Sequence, residues 1–107
     1  MLTDVSNPQM VYDRARKLYG DNVIIIESTR KDKKYMIYNS NTNKYIHFGS
    51  LNHIDYTKYI ELYGLEFANN RREKYLKRAL NIKGNWRNDI YSANNLSIYL
   101  IWMYEFF

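Results

Sequence analysis

The fold of this chain is constrained most strongly by three short segments that are rich in β-branched and aromatic residues. Short polar turns separate these segments. The segments cover residues 23–26, 35–38 and 45–48, and Gly49 is expected to end the third. Charged residues at 30–34 and a polar run at 39–43 have the composition of turns. Strands this short, joined by turns this short, form an antiparallel meander, and such a sheet needs cover on its apolar face.

Helices on either side of these strands are expected to supply the cover. Ser6 or Asn7 before Pro8 is typical of a helix start, and Gly20 of its end. After the strands, helices are predicted over residues 55–63, 67–82 and 93 to about 104. The sequence therefore predicts an α+β fold, in which a short three-stranded antiparallel meander (about residues 23–48) is covered by an N-terminal helix and C-terminal helices.

The last predicted helix is apolar around most of its circumference. A helix of this kind is either buried centrally or docked on a partner. Trp102 is therefore predicted to be buried in the core or in a contact between copies of the chain. The apolar residues of this segment and of the chain that follows it include Leu96, Ile98, Leu100, Ile101, Trp102, Met103, Phe106 and Phe107.

Length and composition narrow the classes of protein. The chain has 107 residues, of which 46% are hydrophobic and 25% charged, so we expect one globular domain spanning residues 1–107. It has no cysteine, which excludes disulfide scaffolds, zinc–thiolate sites and thiol nucleophiles. The N-terminus lacks the pattern of a signal peptide, and no apolar run reaches the roughly 20 residues of a membrane span. We therefore expect a protein that is not secreted and has no membrane partner.

Positive charge is concentrated in the predicted helix 67–82 and the loop after it. Residues 66–87 contain seven basic and two acidic side chains, so this segment alone carries the net charge of +5 of the whole chain. On a helical wheel one face is apolar and the other cationic, with Arg72 inside the apolar arc, where it needs a partner. Charge localised in this way favours a polyanionic partner. The candidate nucleic-acid contacts are Arg71, Arg72, Lys74, Lys77, Arg78, Lys83 and Arg87. The charged turn at 30–34 is a candidate second patch.

Catalytic chemistry has little support in the sequence. His47, His53 and Asp55 are of the residue types that bind zinc, but their spacing matches no ligand pattern, and a structural role for His47 is the better interpretation. Carboxylates are scattered rather than clustered, and no glycine-rich phosphate loop is present. We therefore expect no enzyme activity, no catalytic residues, no metal and no cofactor.

Five segments together resemble an uncharacterised family of small basic proteins encoded by giant DNA viruses such as mimivirus. They are residues 34–39, 43–49, 55–58, 71–78 and 95–102. The resemblance extends over roughly two thirds of the chain. It implies a viral protein located in the virion or in the viral factory of the host cytoplasm, and it implies no reaction.

Two functions remain open on this basis. The first is a viral protein that binds double-stranded DNA without sequence specificity, contacts its phosphates, and condenses or packages the genome. Condensation requires bridging, and the apolar C-terminal helix is the candidate contact for a homo-oligomer. The alternative is a minor capsid or other virion structural protein that binds no nucleic acid.

Overall fold

The computed structural model describes residues 1–105. Phe106 and Phe107, which were predicted to belong to the C-terminal apolar segment, lie outside the described residues. In chain order the elements are a 3-10 turn at Leu2–Asp4, α1 (Pro8–Tyr19), β1 (Ile25–Glu27), β2 (Lys33–Asn39), β3 (Lys44–Ser50), α2 (Tyr56–Tyr63), α3 (Leu65–Ala79), a 3-10 turn at Trp86–Asn88, and α4 (Ala93–Leu96), which continues into a π-helical turn at Ser97–Ile101.

The sheet is the predicted antiparallel meander, in the order β1-β2-β3. Ile37 of β2 is paired with Ile25 on one side and Ile46 on the other. The prediction that Gly49 ends the third strand is wrong, because β3 continues through it and Ser50 pairs with Lys33. Gly49 has a φ of +79°, so the strand passes through a left-handed position that glycine adopts without strain.

Helices cover the sheet as predicted, and the α+β class is confirmed. The N-terminal helix α1 and the C-terminal segment pack against the sheet in one hydrophobic cluster. The central members of this cluster are Val11, Ala15, Tyr35, Ile37, Phe48, Leu96, Leu100 and Ile101, each at most 2% exposed. Within residues 1–105, no helix is long and apolar enough to span a bilayer.

The start of α1 follows the capping signal predicted at Ser6 or Asn7, whereas α2 begins at Tyr56, one residue after its predicted start, because Asp55 is its cap. The side chain of Asn7 accepts a hydrogen bond from the backbone N–H of Met10, and Asp55 does the same for Lys58. Each of these side chains satisfies one of the backbone donors that a helix start leaves unpaired.

Helix α3 begins at Leu65, directly after Gly64, and ends at Ala79, three residues before the predicted end. Two side-chain amides account for the early end. Nδ2 of Asn81 donates to the carbonyl of Lys77 (2.7 Å), and Nδ2 of Asn94 donates to the carbonyl of Ala79 (3.2 Å). The carbonyl of Lys77 thereby gains a side-chain partner, and the carbonyl of Ala79 accepts from Asn94 in addition to the backbone N–H of Ile82 (3.3 Å).

The C-terminal helix also ends earlier than predicted, at Ile101 rather than near Tyr104. The backbone N–H of Trp102 donates to the carbonyl of Ser97 (3.0 Å), which is the wider hydrogen-bonding pattern of a π-turn. Met103 then takes a left-handed conformation with a φ of +50°, and the helix stops. Trp102 is 9% exposed and lies in the core, which is one of the two predicted locations.

Candidate functional site

A cleft with a volume of about 770 Å³ opens between α3, the segment after β3 and the C-terminal segment. One wall is α3, which contributes Arg71, Lys74 and Arg78. The opposite side is formed by residues 49–54 and by the helical turns at 93–97. Within residues 1–105, no Asp or Glu side chain lines this cleft.

The three α3 cations form a single stripe. They are spaced by three and four residues, so they lie above one another on one helix face and span about 10 Å along its axis. All three are exposed, and none forms an ion pair with a carboxylate of the described residues. The Arg71 guanidinium lies 5.5 Å from the ring centre of Tyr59, and that of Arg78 lies 5.9 Å from the ring centre of Tyr75. The aromatic rings therefore neighbour the guanidinium groups without neutralising them.

The orientation of α3 follows from its apolar face. Tyr75 stacks on Trp102 with 4.3 Å between ring centres and 12° between planes, and Ala68 and Ala79 are buried. Burial raises the pKa of the Tyr75 hydroxyl to about 12, against the opposing effect of Arg78. Docking of this face on the core turns the neighbouring stripe towards the cleft. Ile82, the last residue of the predicted helix 67–82, lies beyond the observed helix end and is exposed.

Lys34 lies at the bottom of the cleft, but its charge is neutralised. Its Nζ is 3.2 Å from Oδ2 of Asp55, and the two side chains are 2% and 0% exposed. Burial lowers the pKa of Lys34, while Asp55 acts in the opposite direction. The prediction of a second patch at 30–34 is therefore wrong for Lys34. The same prediction has less support for Arg30, because Arg30 forms an ion pair with Asp32 at 3.6 Å. Lys33 lines the cleft.

Arg72, a predicted nucleic-acid contact, has partners inside the protein. Its guanidinium donates to the carbonyl of Met103 (3.0 Å) and to Oδ1 of Asn69 (3.1 Å), and lies 4.2 Å from the ring centre of Tyr56. Arg72 thus finds carbonyl, amide and aromatic partners in the apolar arc. Its guanidinium fastens α3 to the chain that follows the π-turn.

The remaining predicted contacts lie outside the cleft. Lys77 and Lys83 are exposed, and neither lines it. Arg87 donates to the carbonyl of Leu80, stacks 4.4 Å from the ring of Trp86, and lines a second, largely aromatic cleft of about 510 Å³. The structure thus brings together three of the seven predicted residues, and places the other four elsewhere.

The histidines do not form a joint site. Nδ1 of His47 is hydrogen-bonded to Oγ of Ser28 at 2.7 Å, in line with the structural role predicted for it. His53 is exposed at the cleft, and the Asp55 carboxylate is engaged by Lys34. Among residues 1–105, no group of three or more His, Asp or Glu is arranged to hold a metal ion.

Polar groups on the far side of the cleft were not predicted from the sequence as nucleic-acid contacts. They are Ser50, Asn52, His53, Asn94 and Ser97. These residues come from two segments that are more than 40 positions apart and carry no motif. Only the folded chain places them opposite the basic stripe.

Part of the chain matches the model of a protein family. Residues 23–58 match the model of a family of unknown function (DUF5754). The matched segment spans the sheet, the loop at the cleft and the start of α2, and it contains both Lys34 and Asp55. No curated protein and no solved structure matches the chain.

Proposed function

We propose that this protein binds DNA through its phosphates, without reading the base sequence, and that Arg71, Lys74 and Arg78 make the principal contacts. The observation that carries the proposal is the stripe itself: three exposed cations on one helix face, unpaired among the described residues, at a cleft without carboxylates. Cations arranged in this way attract a phosphate chain and release its counterions. Such contacts position a protein on nucleic acid and carry no base information.

The resemblance to small basic proteins of giant DNA viruses supports a role in condensing or packaging a viral genome. In that setting the protein acts in the virion or in the viral factory. Bridging of DNA then requires an oligomer or a second binding face. Leu96, Leu100 and Ile101 are 0–2% exposed within the protomer, so an oligomer would have to use other surfaces than these side chains.

A titration with labelled duplex and single-stranded DNA at several salt concentrations tests the proposal. Substitution of Arg71, Lys74 and Arg78 by Ala is expected to weaken binding to every sequence by a similar factor. It should also flatten the slope of log K against log salt by about 2–3, because each phosphate contributes about 0.7 (single strand) to 0.9 (duplex).

A matched control removes the same charge elsewhere. Arg16, Lys17 and Lys44 are exposed and lie outside the cleft, so their triple Ala variant has the same net charge as the first. We expect this control to retain most of the affinity and slope. Equal weakening by both triple variants would mean that net charge rather than the stripe controls binding.

A structural role in the virion is the alternative, and one observation favours it. Leu62, Tyr63, Leu65 and Phe67, at the junction of α2 and α3, are 45–60% exposed. Exposed apolar side chains grouped in this way are typical of protein contacts. If the protein purifies free of nucleic acid and fails to bind DNA even at low salt, while a charged substitution at Phe67 disrupts assembly, the alternative replaces the DNA proposal.

A further inference from the structure

We infer that the cleft accepts an unpaired nucleic-acid strand, so that the protein prefers single-stranded over double-stranded DNA. The inference rests on the proposed function and specifies its ligand. In this arrangement the sugar–phosphate chain runs along the stripe of α3, and bases enter the cleft.

The shape of the site favours a single strand. A helix that lies in the major groove of a duplex must project from its surroundings, since the groove is only about 12 Å wide. Here the cationic face of α3 is one wall of a concavity, with residues 49–54 and 93–97 opposite. A volume of about 770 Å³ is in the range of sites that enclose small groups.

The outward face of α3 is poorly suited to a duplex. At about 100° per residue, Glu66, Glu73 and Lys77 fall within roughly 40° of one another on the wheel. All three are exposed. This surface therefore mixes both signs of charge, and the unopposed cations of α3 are those facing the cleft.

The interior of the cleft offers what unpaired bases need. Half-buried Tyr59 and Tyr75 supply apolar ring surface, while Asn52, His53 and Ser97 supply hydrogen-bonding groups. Trp102 is already stacked face to face on Tyr75, whereas the ring of Tyr59 meets Phe67 and Trp102 only at tilted angles, with 5.7 and 6.2 Å between ring centres. Tyr59 is therefore the ring assigned to contact a base. Stacking of bases on an aromatic ring beside the stripe does not depend on the base sequence, because every base has a flat face.

Fluorescence anisotropy with a twelve-nucleotide oligo(dT) and a mixed-sequence duplex of twelve base pairs tests the preference. We expect the single strand to bind at least about tenfold more tightly at the same salt concentration, an effect equivalent to roughly one base contact. Electrostatics alone predicts the opposite order, because the duplex carries twice as many phosphates. Equal or tighter binding of the duplex overturns the inference while the proposed function stands. If neither probe binds, the proposed function fails as well.

A variant that fills the cleft without changing its charge separates the cleft from the general surface. Ala93 is exposed and lines the cleft at the start of α4. Ala93→Trp should weaken oligo(dT) binding at least about tenfold, the scale of one lost base contact. Unchanged binding by a variant that melts like the parent overturns the inference. Ala93→Phe, which also leaves the charge unchanged, serves the same purpose if the tryptophan impairs folding, and Lys77→Ala, on the outer face of α3, is the control expected to bind like the parent.

Thymidine monophosphate distinguishes a strand from a free nucleotide, which has the same chemistry of phosphate and base. We expect it to displace labelled oligo(dT) only at concentrations well above those at which unlabelled oligo(dT) does so. Displacement at comparable concentrations would assign the cleft to free nucleotides and overturn the inference of a strand.

Discussion

Gly49 combines two constraints at one position. Its φ is +79°, and a Cβ there would lie 3.1 Å from Cδ1 of Ile101 and 3.2 Å from Cβ of Lys34. Gly49→Ala should therefore lower the free energy of unfolding by about 2–4 kcal/mol, from backbone strain and overpacking together.

Gly84 is the matched control for this substitution. Its φ is also positive, at +113°, but nothing lies within 4 Å of a Cβ built on it. Gly84→Ala should carry only the backbone cost, about 1 kcal/mol. Urea denaturation measures the free energy of unfolding of both variants. Equal decreases in the two variants would show that the close packing at Gly49 does not affect stability.

The ion pair of Lys34 and Asp55 should be costly to break from one side. Asp55 also accepts hydrogen bonds from Oγ1 of Thr57 (2.6 Å) and the backbone N–H of Lys58 (3.3 Å), so it stays in place when Lys34 is removed. Lys34→Met leaves a buried carboxylate unpaired and should cost about 3–5 kcal/mol.

Neutralising both partners should recover part of this loss. The double variant Lys34→Met, Asp55→Asn retains the helix cap and removes the isolated charge. We expect it to unfold at a higher urea concentration than Lys34→Met alone. A double variant as unstable as the sum of the two single variants would show that the two charges do not interact.

Among the elements, the C-terminal segment depends most on one side chain. Trp102 packs on Tyr75 and lies 6.2 Å from the ring of Tyr59, so it joins α2 and α3 to the π-turn. Trp102→Ala should cost about 3–5 kcal/mol in thermal or urea unfolding. Trp102→Phe keeps an aromatic ring there and should cost less; if both variants are as stable as the parent, Trp102 is not the anchor of this segment.

Arg72 should matter for stability and not for binding. Arg72 donates hydrogen bonds to Met103 and Asn69. Arg72→Ala removes both of them, and each hydrogen bond from a charged group contributes up to about 3 kcal/mol to the free energy of unfolding. Urea unfolding and DNA affinity are both measured on this variant. The unfolding midpoint should move to a lower urea concentration, while the DNA affinity of the folded variant should stay close to that of the parent. A loss of affinity as large as that of Arg71→Ala would make Arg72 a ligand contact after all.

The elements were predictable where local signals act alone. Asn7 and Asp55 cap their helices by hydrogen bonds to residues three positions ahead, and sequence shows such spacing directly. The early end of α3 was not predictable, because one of its terminal carbonyls is satisfied by Asn94, fifteen residues from Ala79. The limits of helices therefore depended on tertiary contacts that no local pattern contains.

The candidate site shows the same division. Arg71, Lys74 and Arg78 follow from helical spacing, but their separation from Lys77 requires knowing which face docks on Trp102. Lys34 looks like its neighbour Lys33 in the sequence, and only the packing around Asp55 distinguishes a buried ion pair from a free cation. The far side of the cleft comes from segments brought together by the fold alone.

For the whole molecule, the buried tyrosines predict sensitivity to alkali. Burial raises the pKa of Tyr19 and of Tyr75 to about 12, and that of Tyr35 further. In the unfolded chain these hydroxyls ionise near pH 10. The stability they contribute is therefore complete below pH 10 and is lost as the pH rises from 10 towards 12, since only the unfolded chain releases protons there.

Lys34 acts with the opposite sign. Its pKa is lowered in the folded protein, so stability from this group increases as the pH rises towards its ordinary value of 10.5. Because at least three tyrosines oppose one lysine, melting temperatures measured from pH 9 to 12 should fall above pH 10. Tyr75→Phe should reduce that fall, and a melting temperature independent of pH up to 12 would contradict the burial of these hydroxyls.

The stacking of Tyr75 on Trp102 gives the molecule an internal optical probe. The chain has two tryptophans, and the other, Trp86, lies beneath Arg87 beside the second cleft. In a Trp86→Phe variant, all indole emission would come from the residue at the bottom of the basic cleft. Its spectrum and its quenching by iodide, an anion that the neighbouring cations attract, would then register occupancy of the cleft without any label.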